Sequence, residues 1–274
     1  MQPTAPTRRA QRVKRDYMPH AGPHSDLTAE CRTHLSCCLD RRSGGTRLRY
    51  IQASSFAGRG QELPRQDNPR DWLVWHVTHV ENLVDIASTG ALVARSTPRV
   101  SIALKSVNGR RPHIPVAPDD SYPANRVVSD HVPFYFAAKS PMLLRVKSGH
   151  VDYQGGDDPL VFVGLAVGDA VDSSMTWCVS DQNAAVDIVE FTRELDQIGT
   201  FIDFPLMRQK MWNNTPQDPN RQSRPAAEFI ILDKLPLNYI SHVVTKNSTT
   251  MARVKQILSD VDGISYIVDR NFYY

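Results

Sequence analysis

No stretch of the 274 residues holds about 18 uninterrupted apolar side chains, so no membrane span is expected. The amino terminus is polar and basic and has no apolar h-region, which argues against a secretory leader. Only four cysteines occur, Cys31, Cys37, Cys38 and Cys178, too few for a disulfide framework at this length. A reducing cytoplasm fits that usage. Several catalytic signatures are missing as well. Without G-x-G-x-x-G after a strand or G-x-x-x-x-G-K-[ST], neither a dinucleotide-binding βαβ unit nor a phosphate loop is expected. There is no G-x-S-x-G elbow and no H-E-x-x-H helix, and no internal repeat. Cys31, His34, Cys37 and Cys38 lack a C-x-x-C knuckle. His76 and His79 lie three apart with no third ligand in view, so no metal site is expected.

What is present divides unevenly. Residues 1–70 hold 13 Lys/Arg against 6 Asp/Glu, a net +7, and the remaining 204 hold 19 against 23, a net −4. A basic arm of that kind suits nucleic acid, whereas the rest of the chain would not point there by charge alone. "PTAPTRRAQRVKR" and "FAGRGQELPRQDNPR" have the composition of linker or disordered sequence, so residues 1–70 read as a basic, disordered extension and 71–274 as the folded domain.

Order begins at "DWLVWHVTHVENLVDIASTGAL". Trp72 to Val77 reads as a strand, Thr78 and Glu81 as a capping box opening a helix, and Gly90 as the residue that ends it. A long polar, Pro-rich stretch follows through Asp130, a length that inside a domain usually marks a functional loop. "HVPFYFAAKSPMLLRV" reads as two short strands around a Lys-Ser-Pro turn, and "PLVFVGLAV" as a further strand. "SDQNAAVDIVEFTRELDQIG" has Ala185, Ile188, Phe191 and Leu195 near helical spacing and reads as an amphipathic helix. "RPAAEFIILDKLP" is a short buried strand, "YISHVVTKN" another, "TTMARVKQIL" a helix and "ISYIVDRNFYY" a closing strand. Short strands with scattered helices and no βαβ alternation predict an α+β fold.

Glu228 stands out, because it sits at the mouth of an apolar strand directly after two alanines. A carboxylate there is costly unless something pairs with it or uses it. His76, Thr78, the pair Arg110–Arg111 and Tyr135 are further isolated candidates, and taken singly each is better read as a packed or solvated side chain.

The segments "WHVTHVENL", "DHVPFYFAAKSPML", "YQGG", "NRQSRPAAEFII" and the closing "FYY" resemble, in the same order, the DarT-type DNA ADP-ribosyltransferases, most closely their actinobacterial members. The resemblance covers about Asp71 to Tyr274. It implies an ADP-ribosyltransferase fold in which two small antiparallel sheets, with flanking helices, form a cleft for NAD. It also implies transfer of ADP-ribose from NAD to thymidine in single-stranded DNA, by a toxin paired with a macrodomain antitoxin. A related branch modifies guanine. On this sequence the family's NAD contacts fall at His76, Val77, Thr78, Asp85 and Val93, with the loop Thr97 to His113 as the NAD-binding element. Asp85 departs from the small residue frequent at its position. The catalytic arginine falls on Arg111, the catalytic glutamate on Glu228, and the acceptor-gripping loop on Asn183 to Glu228.

The chemistry suits these types. A carboxylate bonded to a ribose hydroxyl orients the sugar and offsets the positive charge that grows as the nicotinamide bond breaks. An arginine can fork onto a pyrophosphate or stabilise a deprotonated thymine, and is itself not deprotonated. The acceptor proton could leave through Glu228 or water. Trp212 could stack a base or pack in the core, and Arg221, Arg224, Lys139 and Arg145 are candidates for DNA phosphates. Rival readings keep the cleft and change the acceptor to guanine, RNA, protein or water, the last being an NAD glycohydrolase. A non-enzymatic reading makes the basic arm a nucleic-acid-binding module.

Overall fold

The structure, a computed structural model, describes residues 68–97, 109–149 and 153–274, together with the backbone of 37–39 and 48–50. The backbone divides at His34/Leu35, and the first unit lies outside the described residues. So do the side chains of Cys31, His34, Cys37 and Cys38, and most of the expected extension 1–70. Within that extension β1 (Cys37–Leu39) pairs antiparallel with β2 (Leu48–Tyr50). No helix among the described residues is long and apolar enough to cross a membrane.

The domain then runs through β3 (Leu73–His79), α1 (Asn82–Thr89), β4 (Ala91–Val93), β5 (His131–Tyr135), α2 (Pro141–Lys147), β6 (Leu160–Ala166) and α3 (Val167–Val171). It continues with β7 (Trp177–Ser180), β8 (Phe191–Thr192), α4 (Ile198–Phe201), α5 (Phe204–Met207) and β9 (Glu228–Leu232). β10 (Lys234–Pro236), β11 (Ile240–Thr245), α6 (Ser248–Ile257) and β12 (Ser265–Val268) complete it. Eight strands form one sheet in the order β12-β11-β6-β3-β5-β9-β7-β8, while β4 pairs with β10 in a separate ribbon.

The sheet is one body where two were expected, yet it is nearly divided. Every pairing within it is antiparallel except β11 with β12. β3 pairs with β6 over seven residues and β5 with β9 over five, but β3 meets β5 at one pair, Trp75 opposite Tyr135. Pro133 explains the break. Its carbonyl faces β3, so its missing N–H would have faced β3 too, and the ladder cannot continue there. Packing follows the same line. One face of the sheet carries a continuous core from Val243 through Val163, Val74 and Phe134 to Phe229. The other face carries two separate clusters, one around Trp75, Phe162 and Phe272, the other around Ile114, Val128 and Ile230. Gly164, opposite Trp75, leaves room for the indole, where a Cβ would meet the ring at 2.7 Å.

Four local expectations change. Residues 181–190 are turns and bends, with Ile188 80% exposed, and the chain regains order at β8. The helical spacing there is coincidental, since Asp181 accepts the Glu190 N–H at 3.0 Å and closes a loop instead. "KSPMLLRVK" is a helix, because Ser140 caps Leu143 N–H and Pro141 occupies the first turn. Thr78 belongs to β3 and its hydroxyl accepts from Asn82, so α1 starts without a capping box. The closing segment ends in a 3-10 turn, Arg270–Phe272, after β12. Gly90 does end α1, in the left-handed conformation at φ 70°.

Candidate active site at the split in the sheet

Glu228 opens β9 directly opposite Tyr135 at the end of β5, beside the single pair that joins the two halves of the sheet. Its side chain is 0% exposed. Arg111 begins a 3-10 turn, Arg111–His113, after the long loop, with its side chain 6% exposed. Its Nη2 donates to both carboxylate oxygens of Glu228 at 2.5 Å. Neither charge would be tolerated alone at this burial. Burial works against the Arg111 charge, but the charge and hydrogen bond of Glu228 together with Tyr135 outweigh it, so the guanidinium is held above its ordinary value. Burial, then the charge of Glu228, pushes the Tyr135 phenol up, and its hydroxyl donates to Met142 Sδ at 3.6 Å.

Backbone groups fix the carboxylate further. Ala184 N–H points at Glu228 Oε1 at 3.4 Å, and Glu228 N–H donates to Ser180 Oγ at 3.0 Å. Ser180 in turn donates to the Gln182 carbonyl at 2.6 Å. Buried Gln182 joins the two loops around Glu228, its Nε2 donating to Ile188 O at 2.7 Å and its Oε1 accepting from Ser223. Sequence reasoning named Tyr135 as an isolated candidate without linking it to Glu228, and did not find Ser180 or Gln182. Only strand register places the first opposite Glu228, and nothing in their own sequence context distinguishes the other two.

His76 stands on the far side of the split. Its Nδ1 lies 2.9 Å from the carbonyl of Pro133, which can only accept, so Nδ1 carries a proton and Nε2 can accept only when the ring is neutral. Its ring leans on Phe134 with centroids 5.7 Å apart. Val77 is buried on the opposite face, Thr78 is buried in β3, Asp85 is exposed on α1, and Val93 is half-buried opposite Lys234. Of the residues named from the resemblance, Arg111 and Glu228 are the two joined directly. Arg110 turns outward to Asp187 at 2.9 Å. Most of the NAD-binding element, residues 98–108, lies outside the described residues. Trp212 is tied by its indole N–H to Leu206 O at 3.1 Å, and Arg224 is committed to Asp203 and Asp218.

Comparison with known proteins decides the family. The model for "DarT: ssDNA thymidine ADP-ribosyltransferase" matches residues 75–274. The chain belongs to the DarT family. A DNA ADP-ribosyl transferase of Mycobacterium tuberculosis is 46% identical over 229 residues, covering 82% of this chain and 99% of that protein. Among solved structures, Thermus sp. 2.9 DarT in complex with ADP-ribosylated ssDNA matches with a TM-score of 0.67 at 24% identity, over 76% of this chain and 98% of that one. The same DarT in complex with NAD+ matches with a TM-score of 0.65 at 22% identity, over 76% and 100%. The fold is therefore that of the DarT ADP-ribosyltransferases, and the protein is a DNA ADP-ribosyltransferase.

Another buried group near this DarT site predicts a pH response. His131 Nδ1 lies 2.9 Å from Val127 O and Nε2 2.7 Å from the Tyr122 hydroxyl, an arrangement complete with the ring neutral. Burial pushes His131 down to about 4. Arg111 acts in the same direction and the Val127 carbonyl, Asp130 and Asp233 oppose it. Burial also pushes His242 down to about 4. The unfolded chain titrates near the ordinary value of about 6.5, so between there and pH 4 it binds more protons than the fold. Stability is full above that value and falls as pH drops through the window, by at most about 3 kcal/mol per histidine. Urea midpoints at pH 7 and pH 5 measure the fall, and His131→Gln should flatten part of it. Equal midpoints would contradict a neutral buried His131.

Proposed function

We propose that the protein transfers ADP-ribose from NAD to thymidine bases in single-stranded DNA. The observation that carries this reading is the buried Arg111–Glu228 pair at the mouth of the split, on the stretch that matches the family. Glu228 accepts a ribose hydroxyl and offsets the positive charge that develops as the bond from C1′ to the nicotinamide nitrogen breaks. Nicotinamide leaves neutral, C1′ bonds to thymine N3, and the N3 proton departs to Glu228 or to water. Arg111, released from its hold on both carboxylate oxygens, stabilises the deprotonated base or the pyrophosphate. His76 Nε2 accepts a ribose hydroxyl, with its tautomer set by Pro133. Val77 contributes through its backbone, since its side chain is in the core. Thr78, Asp85 and Val93 line the same path on the family pattern.

By the family resemblance the protein acts as a toxin whose modification a macrodomain antitoxin removes, and its cysteine usage places it in the cytoplasm. Likeness to the Thermus DarT bound to ADP-ribosylated ssDNA supports the single-stranded acceptor, and likeness to its NAD+ complex supports NAD. Purified protein incubated with NAD and a mixed-sequence single-stranded oligonucleotide should add one ADP-ribose to the DNA, located on thymidine by fragmentation. Addition on guanine would move the acceptor within the family. Nicotinamide release without DNA modification would leave water, RNA or protein as the acceptor.

A further inference from the structure

Residues 209–222 cross the surface ahead of β9, and the side chains from 213 to 217 are all exposed. A segment that buries so little apolar surface takes its shape from polar bonds. Some are local: Gln222 N–H donates to Asn214 Oδ1 at 2.8 Å, and Arg221 bonds to Gln209 and to Met211 O. Trp212 is tied to Leu206 O, and Arg221 Nη1 lies 4.0 Å from Asp218 Oδ2. Three further bonds meet at one guanidinium. Arg224 Nε donates to Asp203 Oδ2 at 3.0 Å, while Nη1 and Nη2 fork onto Asp218 Oδ1 and Oδ2 at 2.7 and 2.6 Å. Asp203 is the N-cap of α5, accepting from Leu206 N–H at 2.9 Å. Asp218 sits at the tip of the segment, where its backbone exchanges two bonds with Thr215. Arg224 itself opens the 3-10 turn Arg224–Ala226, which delivers the chain to Glu228. One side chain thus ties α5, the exposed segment and the approach to the catalytic strand.

We propose that Arg224 is a positioning residue whose clamp on Asp203 and Asp218 holds 209–222 in the shape that seats the DNA acceptor beside Glu228, and that it does not contact DNA phosphate. Two carboxylates already use three of its five donors, and a phosphate would have to displace a two-bonded pair. The clamp is not among the direct contacts of Glu228, and it meets them only through Ser223, which bonds to Gln182 and Asn183. Arg111, Ala184 N–H and Ser180 reach that carboxylate and its backbone without passing through Arg224. Loosening the clamp therefore spares cleavage of the nicotinamide bond and disorders the acceptor. Water then takes the place of the base: C1′ bonds to the water oxygen and one proton goes to solvent. The inference rests on the proposed DNA-modifying reaction.

Asp218→Asn is the deciding variant, because the two roles of Arg224 predict opposite signs. Under the clamp, transfer to a single-stranded oligonucleotide falls about 10²-fold with a raised KM for DNA, while nicotinamide release stays within about threefold of the parent. Amide exchange in the ligand-free protein speeds up in 209–222 and stays slow in β5. The swapped pair Asp218→Arg with Arg224→Asp recovers part of the transfer. If Asp218→Asn, having lost a negative charge, instead binds the oligonucleotide more tightly and transfers at least as fast, Arg224 is a phosphate contact and the proposal fails. It fails equally if exchange rises throughout the sheet and nicotinamide release falls with transfer, since the clamp would then serve folding alone. Should the parent release nicotinamide but modify no DNA, the functional reading is wrong, and the exchange measurement still decides whether Arg224 holds the loop.

Discussion

Glu228→Gln is expected to lower ADP-ribose transfer to DNA by about 10²–10³-fold while the protein remains folded. The amide keeps the size of the side chain and an oxygen that can still accept from Arg111 and Ala184 N–H. The backbone is untouched, so pairing with Tyr135 and the bond to Ser180 persist. What is lost is negative charge at the point where positive charge develops on the sugar. In a site with 0% exposure, water cannot replace it. Single-turnover transfer to an oligonucleotide, with thermal unfolding as the control for folding, measures the effect. Transfer within tenfold of the parent would remove Glu228 from the chemistry.

Arg111→Met should be the more damaging change to the fold. It strands a carboxylate in the interior, where breaking a buried pair from one side costs about 3–5 kcal/mol. Adding Glu228→Gln to Arg111→Met removes the stranded charge and should return most of that stability without returning any activity. The contrast separates the two duties of the pair: each partner makes the other tolerable in the core, and together they serve the reaction. Denaturant unfolding of the two single variants and the double variant forms the cycle. If Arg111→Met alone costs less than about 1 kcal/mol, water reaches the carboxylate and the pair is not sealed as described.

Much of the domain was legible from short-range pattern. β3, β6, β9 and β11 are apolar, β-branched or aromatic runs, and α6 has its periodicity and its Asn247 cap. Glu228 was conspicuous because a charge at the mouth of an apolar run conflicts with its surroundings, and such local conflicts tend to be functional. The errors arose where short-range pattern competes with something distant. Residues 181–190 carry helical spacing, but the loop they form is held by Ser223, Glu190 and the Glu228 carboxylate. Arg224 read as a candidate for DNA phosphate, because neither Asp203, 21 positions away, nor the fold that returns Asp218 to it is evident in the chain.

By itself the sequence determined the α+β class, the places along the chain of β3, β5, β6, β9, β11 and β12, the isolated carboxylate at Glu228 and, through several motifs in one order, the DarT family. These depend on neighbours along the chain or on similarity, both of which a sequence carries. Tertiary structure alone decided that Arg111, 117 positions before Glu228, is its ion-pair partner, while Arg110 faces Asp187. It also decided that β3 and β5 touch at a single pair and part at Pro133. Proline shows in the sequence that a donor is missing, but which strand misses it depends on the side the carbonyl faces, and sheet pairing sets that.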